Sequence, residues 1–433
     1  MAKKKQDLSP EERLAAALVP EEEWPYALPD GWKWVRIGAL NDYKSSSITP
    51  STNPDDTFEL YSVPSIVNDY PEITKGMDIG STKQLVEKDD VLLCKINPRI
   101  NRVWKVSAHT THKCLASSEW IVVRARSFFA SDYLMWFFRC PYFRERMLSN
   151  VSGVGGSLMR AKPRFVQTYP VALPSLSEQH RLVARIESLF AKLDAAREKV
   201  QSVLNSHETR KAALLHDAFT GKLTAKWREE QGLPEKIYKT VPLNQVCDSI
   251  FDGDHMPPPK SNSGIPFLVI ANVNKGKLNF TGTRFVPQDY YESLTDTRKP
   301  QNGDVLYTLV GTYGIPVLVD TDEKFCFQRH MALLKPNKSS ILQKYLWYTL
   351  QEKDFYQKAT KIAKGTAQLT VPIKGLRQLT IPLPSLPEQQ EIVRILGRLL
   401  AREQRARQAA EETLTVIDRM KQAILARAFR GEL

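Results

Sequence analysis

Apolar residues recur in alternating steps of four and three along two long stretches of the chain. In the first, Leu182, Ile186, Leu189, Leu193, Ala196, Val200, Val203 and His207 keep this rhythm. In the second, Ile392, Leu396, Leu399, Glu403, Ala406, Ala410, Thr413, Ile417, Met420 and Ile424 keep it at the same phase. A mean period of 3.5 residues puts each set on one narrow stripe of a helix, the pattern of a coiled-coil seam rather than of a broad amphipathic face. Glu403 and Thr413 interrupt the second seam. Some 40 residues at about 1.5 Å each make a rod on the order of 60 Å long. Two matching seams in one chain are most simply buried against each other, with Leu182, Ile186, Leu189, Leu193, Val200 and Val203 facing Ile392, Leu396, Leu399, Ile417, Met420 and Ile424. The alternatives are helices lying separately on their own domains or pairing with another chain.

The two stretches are copies. Residues 173–223 and 383–433 align without a gap at an offset of 210, sharing Leu-Pro-Ser-Leu, Glu-Gln and the ending Ala-Phe-x-Gly-x-Leu. Ser175 and Ser385, with Ser177 or Pro387, suit a helix start, and Glu178 or Glu388 favours the dipole of the first turn. Gly221 and Gly431 can end each helix in the left-handed conformation. What precedes each helix repeats more faintly. Val35-Arg36-Ile37-Gly38 and Val241-Pro242-Leu243-Asn244 open the two segments, Asp90-Val91-Leu92 and Asp304-Val305-Leu306 sit in the middle, and Tyr133-Leu134 with Phe143 and Tyr345-Leu346 with Phe355 mark a late helix. A glycine loop follows, at Gly153–Ser157 or Gly365–Gln368, and then a strand returns to Leu-Pro-Ser-Leu.

At 433 residues the chain exceeds the usual size of one core. A net charge of +13, from 61 Lys+Arg against 48 Asp+Glu, fits a polyanionic partner. Basic stretches poor in acids point to where it would bind. In the first half they hold Lys95, Asn97, Arg99, Asn101, Arg102, Lys105 and Lys113, then Arg160, Lys162 and Arg164. In the second half they hold Lys260, Asn262, Asn272, Asn274, Lys275 and Lys277, the cluster Gln328-Arg329-His330, and Lys358, Lys361, Lys364, Thr366 and Gln368. Lys and Arg supply phosphate affinity, while Asn, Gln and Arg can pair with base edges. For each of them singly, a solvated surface charge is the competing reading.

Catalytic signatures are missing. Asn97-Pro98-Arg99 is not the Asn-Pro-Pro-Tyr/Phe of a DNA amino-methyltransferase, and Gly153-Val154-Gly155-Gly156 lacks the lysine of a phosphate loop. No Asp…Glu-x-Lys nuclease constellation appears. His109, His112, Cys114 and Cys94 match no common zinc spacing, and Asp252-Gly253-Asp254-His255 before three prolines reads as a turn, so no metal site is expected. Five scattered cysteines suggest reduced thiols in a cytosol, and no apolar run is long enough for a membrane helix, which together predict a cytoplasmic protein. The N-terminal Lys3, Lys4 and Lys5 read as a frayed, solvated end.

On the duplicated Leu-Pro-x-Leu-x-Glu-Gln entries, the Ala-Phe-x-Gly-x-Leu exits, Gly221-Lys222-Leu223-Thr224-Ala225-Lys226-Trp227-Arg228 and Leu28-Pro29-Asp30-Gly31-Trp32, the chain resembles the DNA-specificity subunits of type I restriction-modification systems. The resemblance runs over nearly the whole chain, except that no Trp-Arg segment follows the second exit; Ser9–Leu14 would complete that end of the rod. It implies an α+β fold: two globular α/β target recognition domains separated by two long helices that pair as an antiparallel coiled coil, in a pseudo-twofold repeat. The expected divisions are an N-terminal segment, 1–27, packing near the helix ends; a first recognition domain, 28–172; the central helix, 173–223; a linker, 224–232; a second recognition domain, 233–382; and the C-terminal helix, 383–433. It also implies a non-catalytic subunit that reads a bipartite, asymmetric site in double-stranded DNA. The implied partners are two methyltransferase subunits and, through the complex, restriction subunits. S-adenosylmethionine, ATP and Mg would serve those partners, with no cofactor bound by this chain. A coiled-coil scaffold that reads no DNA sequence is the alternative.

Overall fold

The two Leu-Pro-Ser-Leu entries open two uninterrupted helices, Leu176–Phe219 (the central helix) and Leu386–Ala428 (the C-terminal helix), in the computed structural model. The structure describes residues 8–153, 159–233, 238–253, 258–366 and 368–433. The chain divides into two compact units, Met1–Val200 with Glu412–Leu433, and Gln201–Glu411. Each unit therefore holds the start of one long helix and the end of the other.

In the first unit the globular part is tied shut at its base, where strand Lys33–Arg36 pairs antiparallel with Pro170–Leu173. Between these lies a three-stranded antiparallel sheet in the order Val103–Lys105, Val91–Cys94, Trp120–Val123. Beside it stands a five-stranded sheet in which Thr57–Tyr61 runs parallel to Lys113–Ala116. Helices Ser131–Arg139 and Pro141–Ser149 follow, the second begun by Pro141 at a position where no helical N–H is needed. Their Tyr133, Phe137 and Phe143 join Trp34 and Val171 in one core with Leu182 and Ile186 of the central helix and Leu425, Ala428 and Phe429 of the C-terminal helix.

The second unit repeats this plan. Strands Lys239–Pro242 and Thr380–Leu383 close its base. Its middle sheet, Cys247–Asp252, Met331–Pro336, Val305–Thr308, Pro316–Leu318, has one strand more than its counterpart. Ile265–Leu268 runs parallel to Cys326–Phe327, as Thr57–Tyr61 does to Lys113–Ala116. Tyr345, Leu346 and Phe355 pack with Leu215, Ala218 and Phe219 of the central helix and Ile392 and Leu396 of the C-terminal helix.

Ion pairs, together in the second unit with the packing of Leu215 and Phe219 near Ile392 and Leu396, fix the helix direction inside each unit. In the first, Asp194 meets Lys421 at 2.5 Å and Arg197 meets Asp418, so rising numbers on one helix face falling numbers on the other. In the second, Arg210 reaches Glu403 at 2.7 Å, which places a counter-charge on the residue that interrupts the seam. The helices are antiparallel. Leu182, Ile186, Ile392, Leu396 and Ile417 are buried, whereas Leu189, Leu193, Val200, Leu399 and Ile424 are half-buried.

Three expectations need correction. Val203 and Met420 are 39% and 47% exposed, not sealed in the seam. Two helices cover only a narrow stripe, and around Val203 the C-terminal helix offers mainly alanines and charged residues too small or too polar to cover it. Residues 224–232, expected as a linker, contain a helix, Ala225–Glu230, whose Arg228 is buried. The compact units also cut across the expected boundaries at 172 and 382, because packing divides each long helix between two cores.

The N-terminal segment forms a capped helix, Pro10–Ala17, with Ser9 accepting from the Glu12 N–H while the Glu12 carboxylate accepts from the Ser9 N–H. Ala17 and Val19 enter the first core, and the Tyr26 hydroxyl donates to the Phe429 carbonyl at 3.1 Å. No helix among the described residues is long and apolar enough to cross a membrane.

Candidate nucleic-acid interface

In the first unit the strand Val91–Cys94 delivers the basic loop 95–102 to one edge of the middle sheet. The loop is held in place from behind. The Lys95 carbonyl accepts from Ala161 N–H at 2.8 Å, Ile96 bridges Arg160, and Asn97 N–H donates to the Met159 carbonyl at 2.7 Å. Asn97 adopts a left-handed conformation (φ 46°), open at lower cost to asparagine than to most residues, and Pro98 starts a short turn after it. The structure thus brings Lys95–Arg102 beside Arg160, although the two are 58 or more residues apart in the chain.

The cations here differ in availability. Arg160 is held by Glu119, its Nε and a terminal nitrogen each 3.2 Å from a carboxylate oxygen. Lys105 is committed to Asp132 at 2.6 Å. Arg164 and Lys162 lie over the Phe165 ring, 4.8 and 5.8 Å from its centroid. Among the described residues Lys95, Arg99 and Arg102 form no ion pair, and Lys113 none either; Arg99 and Lys113 are exposed and Asn101 half-buried. Behind the loop, Asp90 is fully buried and accepts from Nε and a terminal nitrogen of Arg124, each at 2.8 Å.

The second unit builds the corresponding edge. Strand Val305–Thr308 leads into Leu309–Gly311, where Leu309 N–H donates to the His330 carbonyl, Val310 bridges Thr370, and Gly311 N–H donates to Leu369. Lys364 bridges the same Thr370. Gly311 has φ 68°, a left-handed conformation that favours glycine. Gln328-Arg329-His330 and the loop bearing Lys364, Thr366 and Gln368 are thereby gathered at one place. Burial, and then the Arg329 charge, hold the His330 imidazole below its ordinary pKa, which leaves it neutral at pH 7 as a hydrogen-bonding group. Asp304 stands where Asp90 does, 2.7 Å from Lys335; burial raises its pKa and Lys335 opposes the rise.

Other candidates lie elsewhere. Asn274, Lys275 and Lys277 are exposed on the turn after Ile270–Asn272, and Lys260, Asn262 and Lys361 are exposed too. Asn272 is a correction. It is buried, its Oδ1 accepts from Val269 N–H at 2.9 Å and its Nδ2 donates to the Asn279 carbonyl at 3.0 Å, so its amide shapes the turn and has no edge left for a base. Lys358 pairs with Asp354 at 2.7 Å. Most of the first glycine loop, Ala367, Lys3, Lys4, Lys5, Asp254 and His255 lie outside the described residues.

His109 packs on Tyr70, ring centroids 4.7 Å apart, and no group of three His, Cys, Asp or Glu among the described residues is placed to hold a metal ion. All five cysteines are buried. Burial pushes Cys114 up to about 11 and Cys140, Cys247 and Cys326 up to about 12, so these thiols stay protonated and unreactive at neutral pH.

Sequence reasoning passed over the residues that join each globular part to its long helix. Gln179 is fully buried, its Oε1 accepting from Ala130 N–H at 2.8 Å and its Nε2 donating to the Phe128 and Pro174 carbonyls at 3.0 and 3.1 Å. Gln389 makes the same clamp on Leu342 N–H, at 2.9 Å, and on the Ser340 and Pro384 carbonyls, both at 3.0 Å. The repeated Glu-Gln was the signal. A glutamine retained at both copies, where the first turn offers no use for an amide, marks a tertiary hydrogen-bonding role.

The structure thus carries a basic loop edge in each unit of a duplicated, helix-joined plan. Residues 235–412 match the family model described as type I restriction modification DNA specificity domain. The EcoKI specificity subunit of Escherichia coli K12 is 24% identical over 81% of this chain and 76% of its own length. The HsdS subunit from Thermoanaerobacter tengcongensis, 25% identical, superposes with a TM-score of 0.65 over 95% of this chain and all of that one. A chain from a structure of type I restriction-modification complex assembly and conformational transition, 24% identical, has the same fold, with a TM-score of 0.77 over 94% of this chain and all of that one. The second half of the chain thus matches the specificity-domain family model, and most of the chain is similar to type I restriction-modification specificity subunits.

Proposed function

We propose that each unit reads one half of a bipartite, asymmetric DNA site, the first through the 95–102 edge with Arg160, the second through the edges of 309–311, 328–330 and 364–370. The paired helices set the distance between half-sites and dock two methyltransferase subunits, which supply S-adenosylmethionine chemistry. Restriction subunits using ATP and Mg would join through that complex, and this chain would bind no cofactor. The reading rests on one observation: the same clamp, Gln179 or Gln389, locks an equivalent domain to an equivalent helix start twice. Two readers on one face of B-DNA need a separation of about one helical turn, ~34 Å, and a stiff helix pair is suited to maintain it.

The test is the methylation pattern of DNA in cells that carry this chain and its methyltransferase partner. A split motif of two short blocks is expected. Deleting seven residues from each long helix should shorten the gap between the blocks or abolish methylation, while an unsplit motif or an unchanged gap defeats the proposal.

A further inference from the structure

A trough of about 730 Å³ in the second unit runs between the central helix, the C-terminal helix and the turn after Asn272. Three lysines line it, Lys211 from the central helix and Lys275 and Lys277 from the turn. None of them forms an ion pair among the described residues.

The repeat supplies an internal comparison. Lys211 aligns with Lys421, which lines a smaller groove, about 460 Å³, in the first unit. There Lys421 is held by Asp194 at 2.5 Å. The position equivalent to Asp194 is Gln404, which lines the trough as a neutral amide, so Lys211 has lost the counter-ion its twin retains. The trough's two carboxylates do not restore the balance. Glu403 already accepts from Arg210 at 2.7 Å and Arg407 is paired with Glu411 at 3.0 Å, which leaves Glu208 as one charge against three lysines.

We propose that this trough binds the phosphate backbone of DNA without regard to base sequence, a role that deepens the DNA reading above and rests on it. Ammonium groups are point charges that neutralise phosphate and carry little base information. Their arrangement along an open channel suits a linear polyanion better than a single small anion. Gly276, between two of the lysines, has nothing within 4 Å of where a Cβ would stand, which leaves room for a strand to approach the turn. Trp347 and Tyr348 line the same trough and add aromatic surface to its wall.

The test uses the full chain assembled with its methyltransferase subunits, and two duplexes of equal length, one with the methylated motif and one with both half-sites scrambled. Dissociation constants are measured between 50 and 200 mM KCl for the wild type, Lys211→Gln and the double variant Lys275→Gln/Lys277→Gln. Each lysine removed should lower the log–log salt slope by about 0.9, weaken both duplexes by the same factor, and be rescued by arginine. Unchanged slopes overturn the proposal, as does a loss confined to the motif duplex. Intact DNA binding with weakened subunit assembly also overturns it and assigns the trough to an acidic protein segment. The surface pair keeps the test valid should Lys211→Gln disturb its helix. A wild-type complex that fails to prefer the motif duplex sinks the specificity reading instead, and one that binds no DNA sinks both.

Discussion

Phe429 stands edge-on to Tyr133, ring centroids 5.3 Å apart and planes at 80°. Phe219 meets Tyr345 the same way in the second unit, at 5.5 Å and 74°. Each tyrosine also donates its hydroxyl to the strand entering its own helix, Tyr133 to the Ala172 carbonyl and Tyr345 to that of Pro382. The exit phenylalanine of one repeat therefore caps the core of the other.

Removing that cap should act locally. Phe429→Ala is expected to destabilise the first unit by about 3–5 kcal/mol and Phe219→Ala the second by a similar amount. Hydrogen exchange of core amides in each unit, followed in urea, reads the effect. Equal loss of protection in both units from either single variant would contradict the separate packing of the two phenylalanines.

The glutamine clamps should not tolerate an apolar isostere. Gln179→Leu leaves Ala130 N–H and two carbonyls without a partner in a buried place, at about 1–3 kcal/mol for each group left unsatisfied. Gln389→Leu should do the same in the second unit. Chemical denaturation measures both, and a loss under 1 kcal/mol would mean that water reaches these groups.

Glu59 should make the first unit acid-sensitive. Burial alone would raise its pKa, but donors from the Tyr61 hydroxyl, His109 N–H, and the Thr110 N–H and hydroxyl outweigh burial and hold it below the ordinary carboxylate range. A carboxylate with a depressed folded pKa adds stability that is present above its unfolded value, about 4.3, and disappears as pH falls through the folded value. Thermal melts of wild type and Glu59→Gln should converge as pH drops below about 4. A gap that stays constant from pH 7 to 3 would exclude this linkage.

The buried Glu388 gathers Arg228 at 2.6 Å, Thr224 at 2.7 Å and Tyr238 at 2.6 Å around one carboxylate oxygen. Burial and the adjacent Glu388 push the Tyr238 phenol up to about 12, so it remains a donor. Arg228→Met alone should cost about 3–5 kcal/mol, because it strands a buried charge, whereas adding Glu388→Leu should recover much of the loss. Equilibrium unfolding of the three variants decides, and a double variant worse than the single would show that Thr224 and Tyr238 depend on the carboxylate.

Much of the candidate site was legible only as composition. The stretch from Lys95 to Lys113 reads as a row of equivalent cations, yet Lys105 is tied to Asp132 and Arg160 to Glu119, both acids outside the basic runs. Asn272 and Asn274 look alike in sequence, and one is a buried turn brace while the other is exposed. Partner identity depends on residues brought in from elsewhere in the chain, and composition carries no record of it.

The sequence by itself determined the two long helices, their duplication, the opening and returning strands, and the middle strands after Asp90 and Asp304. Those features depend on periodicity, caps and alternation, interactions that span a few residues and leave their mark locally. Tertiary structure decided that each helix end serves the opposite repeat, that the presumed linker folds around Glu388, and that Lys211 stands without the counter-ion its twin possesses. Such outcomes depend on distances of a few ångströms between segments up to some 400 residues apart, where hydrogen bonds and Coulomb attraction act on whatever packing has brought together.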